Sequence, residues 1–332
     1  MDSTNTDQST SGWPHAAANP DIAVKVSVLS IVTTVYRSAA TIKTFIERAI
    51  GAVSSAAERI EVIVVDDGSP DDSASIVRDL ADQDDRITLV QLSRNFGHHK
   101  AMIAGLENAR GDLIFLIDSD LEEEPEHLTP MLARLRQEQV DVVYGVQRER
   151  RGGFIERVSG NVFYSTFSRL SEVELPRNVA TMRLMTRRYV RSFLLFRDHN
   201  PVFVPLSILV GYRQAAYVFD KRSSSATTYS VRSRISLLIL ALTSFSGKPL
   251  LLIFWASVVF SSVSFFFGLS VVVNAVVGPV QDGWSSLMAA VVFFFSLNAL
   301  MTGILGLYVK LILDEVKDRP RTVVQEVYRK ST

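Results

Sequence analysis

The stretch LIFLIDSDLEEEPEHL, residues 113–128, joins an apolar run to a dense group of acidic side chains. Residues 113–117 are continuously apolar, which is typical of a strand covered on both faces of a sheet. Carboxylates this dense repel one another unless water solvates them or they share a cation. Open parallel sheets bind ligands at the carboxyl ends of their strands. The position of the acids therefore predicts a cation-dependent ligand site at that edge.

A second acidic pair follows another apolar strand. Residues 60–65 are apolar except for Glu61 and are followed by Asp66 and Asp67. Both acidic clusters project over the same edge of a parallel sheet, and oxygen ligands there suit Mg²⁺ or Mn²⁺. Because Mg²⁺ is held by one or two carboxylates together with substrate phosphates, a nucleotide diphosphate is the natural second ligand. The alternative for each motif alone is an ordinary turn or a cap.

Composition excludes several classes of protein. The 332 residues include 35 Lys and Arg and 35 Asp and Glu, whereas a nucleic-acid binder usually has a basic excess. The absence of cysteine excludes disulfides, thiolate metal sites and cysteine nucleophiles. Adjacent histidines at a helix start point in different directions, so we interpret His98 and His99 as structural or loop-positioning residues.

Strands and helices alternate along the first part of the chain. The sequence predicts strands at residues 26–33, 60–65, 87–92, 113–117 and 140–144, and helices at residues 39–54, 73–82, 98–108 and 128–137. This alternation predicts an α/β domain with a mainly parallel sheet over residues 24–230. Residues 1–23 are rich in small polar side chains and are predicted to be a disordered tail.

The last third of the chain contains two long apolar runs without charge. Each exceeds the roughly 20 residues that a spanning helix needs, so we predict transmembrane helices at residues 249–277 and 284–309. An interfacial amphipathic helix is predicted before them at residues 231–248, and a cytoplasmic tail after them at residues 310–332. Lys and Arg flank the pair but are absent from residues 278–286, so the positive-inside rule predicts that both termini are cytoplasmic.

Taken together, these segments resemble the family 2 glycosyltransferases with a GT-A (Rossmann-like) fold. They resemble most the polyisoprenyl-phosphate glycosyltransferases, relatives of dolichyl-phosphate mannose synthase. The resemblance is carried by VIVVDDGSPDDS, LSRNFGHHKAMIAGLENARGDLIFLIDSDLEEEP, DVVYG, RLM, TSFSGKPL and EVKDRPR. It implies a metal-dependent, inverting enzyme of the bacterial cytoplasmic membrane. Such an enzyme transfers a sugar from a nucleotide-diphosphate sugar to polyprenyl (undecaprenyl) phosphate for cell-envelope glycans or their modification.

The resemblance also implies which residues bind the donor. Thr34 and Tyr36 would line the base pocket, and Asp67 and Ser119 would contact the nucleotide sugar. Arg148 is a looser match to a basic position of the family.

The catalytic residues implied by the resemblance are acids and arginines. Asp118 and Asp120 would hold the ribose and the metal–diphosphate, and Glu122 stands where the family usually has a glutamine beside the metal. Arg157 and Arg222 match positions that hold phosphate groups near the donor and the acceptor. For Arg148 and its basic neighbours, a solvated face is an equally good interpretation.

Two departures from the family concern the donor pocket. The family usually has Pro-x-Tyr-Asn-Glu where this chain has TVYRS at residues 34–38, and Gly-Asp-Phe-Arg-Leu where it has ATMRL at residues 180–184. Thr181 thus replaces an acid near the sugar or the acceptor. These losses leave the sugar open and allow a deoxy or amino sugar.

Three functions remain compatible with the sequence. The first is the single-sugar transfer described above. A processive polysaccharide synthase is the second, although its usual Gln-x-x-Arg-Trp motif is missing, because no tryptophan lies between Trp13 and Trp255. The third is an inactive membrane scaffold, which has no need of acids on a strand edge. Two-helix anchors often associate, so a homo-oligomer is compatible with each function.

Overall fold

The computed structural model describes residues 26–54, 56–148, 176, 178–220, 248–277 and 283–330. The chain divides into two compact units. The first draws its described residues from Met1–Ser159, Val173–Thr228 and Arg319–Thr332, and the second from Tyr229–Asp318. The predicted disordered tail, Arg157, Arg222 and nearly all of the predicted interfacial helix lie outside the described residues.

The described part of the first unit is built on an eight-stranded sheet in the order β7-β5-β6-β4-β1-β2-β3-β8. Its strands are β1 Val28–Val35, β2 Arg59–Asp66, β3 Ile87–Leu92, β4 Leu113–Leu116, β5 Val142–Gln147, β6 Val179–Thr186, β7 Gln214–Phe219 and β8 Val324–Tyr328. The central strands β4, β1, β2 and β3 are parallel, as is the pair β5 and β7. The predicted α/β sheet is therefore confirmed, with β6 and β8 as antiparallel additions.

Helices cover both faces of this sheet. They are α1 Ile42–Val53, α2 Ser73–Gln83, α3 His98–Asn108, α4 Leu128–Glu138, α5 Arg187–Phe193 and α6 Phe203–Leu209. One face packs against α1, α2 and α4 in a single apolar core. On the other face α3 crosses β1 and β2 so closely that a Cβ at Gly105 would lie 2.4 Å from Val32 Cγ1. Glycine at that position is thus required for the helix to lie on the sheet.

Strand β8 was missed by sequence reasoning, which predicted only a tail there. It pairs antiparallel with β3 and forms an edge of the sheet. Arg78 of α2 forms an ion pair with Glu326, with 2.6 Å between Nη2 and Oε2, and lies over the Tyr328 ring. The Tyr328 hydroxyl lies 2.5 Å from Asp82 Oδ1. The chain after the second unit therefore completes the sheet of the first.

The second unit contains two long helices, α7 Lys248–Val277 and α8 Trp284–Val316. Within the described residues, one segment, Phe293–Val316, is long and apolar enough to cross a membrane, by length and composition. Helix α8 continues beyond residue 309, where the predicted span ends, and Lys310 and Asp314 approach within 3.6 Å on this extension. A second crossing by α7 remains a prediction.

We expect Tyr328→Ala to loosen β8, because the substitution removes a hydrogen bond, a cation–π contact and apolar packing together. The melting temperature should fall by several degrees, and amide hydrogen exchange should quicken in both β8 and β3. Gln325→Ala on the same strand is the matched control, since an exposed substitution away from such contacts usually changes little. Equal, small effects of both variants would contradict the docking of β8 through Tyr328.

Candidate active site

The carboxyl ends of β4, β1 and β2 lie side by side, as the sequence predicted. Val35 pairs with Asp66 across β1 and β2, and Val32 pairs with Leu116 across β1 and β4. Residues that follow these strands therefore meet at one edge of the sheet. That edge collects the predicted donor-binding residues Thr34, Tyr36, Asp67, Asp118, Ser119 and Asp120.

Asp67 uses its carboxylate to hold the loop before α3. Its Oδ1 accepts a hydrogen bond from the Phe96 amide at 2.7 Å, and its Oδ2 accepts one from the Gly97 amide at 2.9 Å. Burial raises the pKa of this carboxyl above its usual range, against the opposing effect of the two amides. The nucleotide contact of Asp67 stays a prediction, and in the fold Asp67 places the start of α3.

The turn after β2 requires glycine. Gly68 has a φ of 66°, and a Cβ there would lie 2.6 Å from both the Arg94 carbonyl carbon and the Asn95 nitrogen. The neighbouring Asp66 accepts a hydrogen bond from the Ser69 amide through Oδ1 at 3.1 Å. Burial raises the pKa of Asp66 as well. The DDG motif therefore packs the turn tightly against the loop before α3.

Ser119 ties the end of β4 to the end of β1. Its hydroxyl donates to the Thr34 carbonyl at 2.9 Å, and Ser119 is buried. Asp118, one residue earlier, keeps about a quarter of its side chain exposed and faces His98, with 3.4 Å between Oδ1 and Nε2. The carboxylate of Asp118 therefore remains accessible from the edge, whereas Ser119 holds the backbone beneath it.

The backbone after Asp118 is shaped by a tight turn. Asp120 accepts a hydrogen bond from the Glu122 amide through Oδ1 at 2.9 Å. Leu121 between them has a φ of 61°, which is uncommon for a residue with a side chain. Such conformations cost free energy and cluster at functional sites. Asp120 is exposed at the surface, two residues after Asp118 in the chain.

The donor chemistry at this edge fits a hard divalent cation. Carboxylate oxygens suit Mg²⁺ and Mn²⁺, and Mg²⁺ needs only one or two of them when substrate phosphates complete its shell. Among the described residues, no three His, Asp or Glu side chains come together as a ready-made metal site. Asp118 and Asp120 are the carboxylates that the sequence assigns to a cation shared with a diphosphate, and their role as ligands, like that of Glu122, remains a prediction.

Two further predicted donor residues lie at the surface. Tyr36 is 45% exposed, with the Arg37 guanidinium 5.6 Å from its ring centroid. Arg148 is exposed and lies near Asp220, with 3.8 Å between Nη1 and Oδ2. Neither contact assigns a nucleotide to these residues, whose roles stay predictions.

Arg183 is a buried cation close to the edge that sequence reasoning quoted within a motif without assigning it a role. It lies on β6 opposite Leu116 of β4 and is 2% exposed. Its guanidinium donates to the carbonyls of Thr181 and Ala180 and lies 4.7 Å from the Phe203 ring centroid. Burial lowers its pKa, while the charges of Glu123 and Asp118 oppose that shift. An arginine inside an apolar strand was the sequence signal for this buried charge.

His99 lies next to this charge. Burial, together with the positive fields of His98 and Arg183, lowers the pKa of His99 to about 4. Its Nδ1 is buried and has no hydrogen-bond partner among the described residues. His99 is therefore neutral at physiological pH, which agrees with the structural role predicted for it.

We expect His99 to make the protein less stable as the pH falls from 6.5 to 4. In that range the unfolded chain binds a proton at this side chain and the folded chain does not, so the free energy of unfolding decreases as the pH falls. His99→Gln removes this dependence. The melting temperature of the variant relative to wild type should rise between pH 7 and pH 5. A constant difference over that range would contradict the lowered pKa of His99.

Comparison with known proteins agrees with this architecture. Residues 30–194 match Glycosyl transferase family 2. A glycosyltransferase of Mycobacterium tuberculosis is 36% identical over 90% of this chain and 88% of its own length. An undecaprenyl-phosphate 4-deoxy-4-formamido-L-arabinose transferase of Shewanella sediminis is 28% identical over 91% of this chain and 93% of its own length. A bactoprenol glucosyl transferase of Shigella flexneri is 29% identical over 81% of this chain and 88% of its own length. The chain belongs to glycosyl transferase family 2.

Proposed function

We propose that the protein transfers one sugar from a nucleotide-diphosphate sugar to polyprenyl phosphate at the cytoplasmic face of a bacterial inner membrane. The observation that carries the proposal is the placement of Asp118 and Asp120 after β4, on either side of Ser119, whose hydroxyl donates to the Thr34 carbonyl at the carboxyl edge of parallel strands. Relatives named for undecaprenyl-phosphate and bactoprenol acceptors support the lipid acceptor. An apolar segment long enough to cross a membrane, Phe293–Val316, supports a membrane location.

The acceptor's chemistry explains which catalytic groups the protein needs. The second pKa of a phosphate is about 6, so a polyprenyl phosphate is an anionic nucleophile near neutral pH. It needs no general base to ionise it. The protein must instead hold two anions close together and stabilise the departing nucleoside diphosphate.

Asp118 and Asp120 are the residues that would hold a divalent cation, with Glu122 as the predicted neighbour. When bound, the cation neutralises charge on the departing diphosphate. Thr34 and Tyr36 would position the base, and Asp67 would keep the loop before α3 in place beside the nucleotide. Arg157 and Arg222, which lie outside the described residues, are proposed to offset the charge of the two phosphate groups.

Mass spectrometry of the lipid fraction tests the proposal. Membranes containing the protein are incubated with a panel of nucleotide sugars and polyprenyl phosphate. We expect a product heavier than the polyprenyl phosphate by one sugar residue. A ladder of products would indicate a processive synthase, and the absence of any lipid product across the panel would contradict the proposed transfer.

We expect Asp120→Asn to reduce transfer by about a hundredfold or more, because several kcal/mol of metal–diphosphate stabilisation is lost. The amide oxygen can still accept from the Glu122 amide, so folding should be preserved. Glu126→Gln is the matched control, because Glu126 lies in the same segment but pairs with Arg48, 2.8 Å away. Near-normal transfer by Asp120→Asn with metal present would refute the role of the acidic edge.

Membrane topology gives a separate prediction. The chain lacks cysteine, so introduced thiols report without background. Ser285→Cys should react with an impermeant thiol reagent in intact cells, whereas Ser3→Cys and Ser331→Cys should react only after lysis, since Lys and Arg flank the apolar runs on the cytoplasmic side. The opposite labelling pattern would refute two crossings with cytoplasmic termini.

A further inference from the structure

We propose that His98 is a positioning residue that links Thr34 and Asp118 and sets their orientation toward the nucleotide part of the donor. This inference rests on the proposed function, because it assigns a role within the donor site. The sequence predicted a structural or loop-positioning role for His98 and His99 alike. The structure separates them, since the Nδ1 atom of His99 is withdrawn from solvent without a hydrogen-bond partner among the described residues, whereas His98 contacts two predicted donor-binding residues.

The contacts of His98 come from both ring nitrogens. Nδ1 lies 3.1 Å from the Thr34 hydroxyl oxygen, and Nε2 lies 3.4 Å from Asp118 Oδ1. Thr34 belongs to β1 and Asp118 follows β4, and these two strands are parallel neighbours. One imidazole therefore spans the ends of two strands that both contribute to the candidate active site.

In the neutral imidazole ring, a single arrangement of hydrogens satisfies both contacts. An ionised carboxylate only accepts hydrogen bonds, so Nε2 carries the proton that faces Asp118. In the neutral ring Nδ1 is then an acceptor, and the Thr34 hydroxyl donates to it. The Nε2 contact is slightly longer than a normal hydrogen bond, and contacts in unliganded active sites often tighten when substrate binds. His98 would thus direct one oxygen of Asp118, leaving the other available to ligand.

The location of His98 is itself fixed from a third strand. Asp67 follows the end of β2, and its carboxylate accepts hydrogen bonds from the amides of Phe96 and Gly97, the two residues immediately before His98. Gly97 has a φ of 99°, a conformation that favours glycine, and the chain turns there into α3. The ends of β1, β2 and β4 are therefore coupled through His98 and the two residues before it.

This coupling gives His98 a function that packing alone does not require. Its side chain is 39% exposed, so it fills no core cavity. A partly exposed imidazole between a hydroxyl and a carboxylate instead restricts their rotation, which reduces the entropy lost when a ligand binds. We therefore expect His98 to affect donor affinity and to leave acceptor affinity unchanged.

Three substitutions at one position test the inference. His98→Ala removes both contacts, His98→Gln places an amide nitrogen near the position of Nε2, and His98→Asn places one near Nδ1. Binding of UDP and of GDP with Mn²⁺ is measured by calorimetry, and KM is measured separately for the nucleotide sugar and for polyprenyl phosphate. His99→Gln is the matched control for disturbance of the same helix.

We expect His98→Ala to weaken nucleoside diphosphate binding and to raise the donor KM by about tenfold, as for the loss of one or two hydrogen bonds. His98→Gln should recover most of the loss and His98→Asn little of it, with acceptor KM and melting temperature unchanged throughout. His99→Gln should leave nucleotide binding within about twofold of wild type.

Several results would overturn the inference. Wild-type binding by His98→Ala is one, recovery by Asn instead of Gln is another, and an equal loss in all three variants together with a lower melting temperature is a third. Failure of the proposed function is distinguished from failure of the His98 inference by the wild-type protein, which would then produce no lipid-linked sugar. Nucleoside diphosphate binding needs no acceptor, so it reports on His98 independently of that assay.

Discussion

The two amide hydrogen bonds accepted by Asp67 fix the shape of the candidate active site. They hold the loop before α3 against the end of β2, where Gly68 leaves room for the Arg94 and Asn95 backbone. A buried carboxylate is costly unless donors surround it, and backbone amides are suitable donors because they cannot move away. The position of α3, and hence of His98 beside Thr34 and Asp118, depends on this interaction.

Local patterns explain what could be predicted from the sequence. The strands at the centre of the sheet are covered on both faces, so they appear as apolar runs, and the acids that follow β2 and β4 mark their common edge. Strand β6 was harder to find because its antiparallel insertion between β4 and β5 depends on pairing across the sheet. Strand β8 was missed because it is largely exposed and its stabilising contacts come from distant α2. His98 was undervalued for a similar reason, since its two partners are distant in sequence.

The acidic edge combines accessible and buried charge. Asp118 is accessible, whereas Arg183 lies beneath the same strand end, withdrawn from solvent and bonded to carbonyls of its own strand. A fixed cation in a medium of low dielectric constant acts over a longer range than an exposed one. It offsets part of the repulsion among the carboxylates that follow β4, which helps to explain how so many acids are tolerated there.

Hydrogen–deuterium exchange with a nucleoside diphosphate and Mn²⁺ measures whether the ends of β1, β2 and β4 form the donor site. We expect the amides of residues 34–38, 66–70, 94–99 and 117–122 to gain protection together, and only when both nucleotide and metal are present. Strand β8 and the far ends of the same strands should be unaffected. Protection only elsewhere in the chain, or the same protection with and without the metal, would contradict the assignment of this edge as the metal-dependent site for the nucleotide sugar.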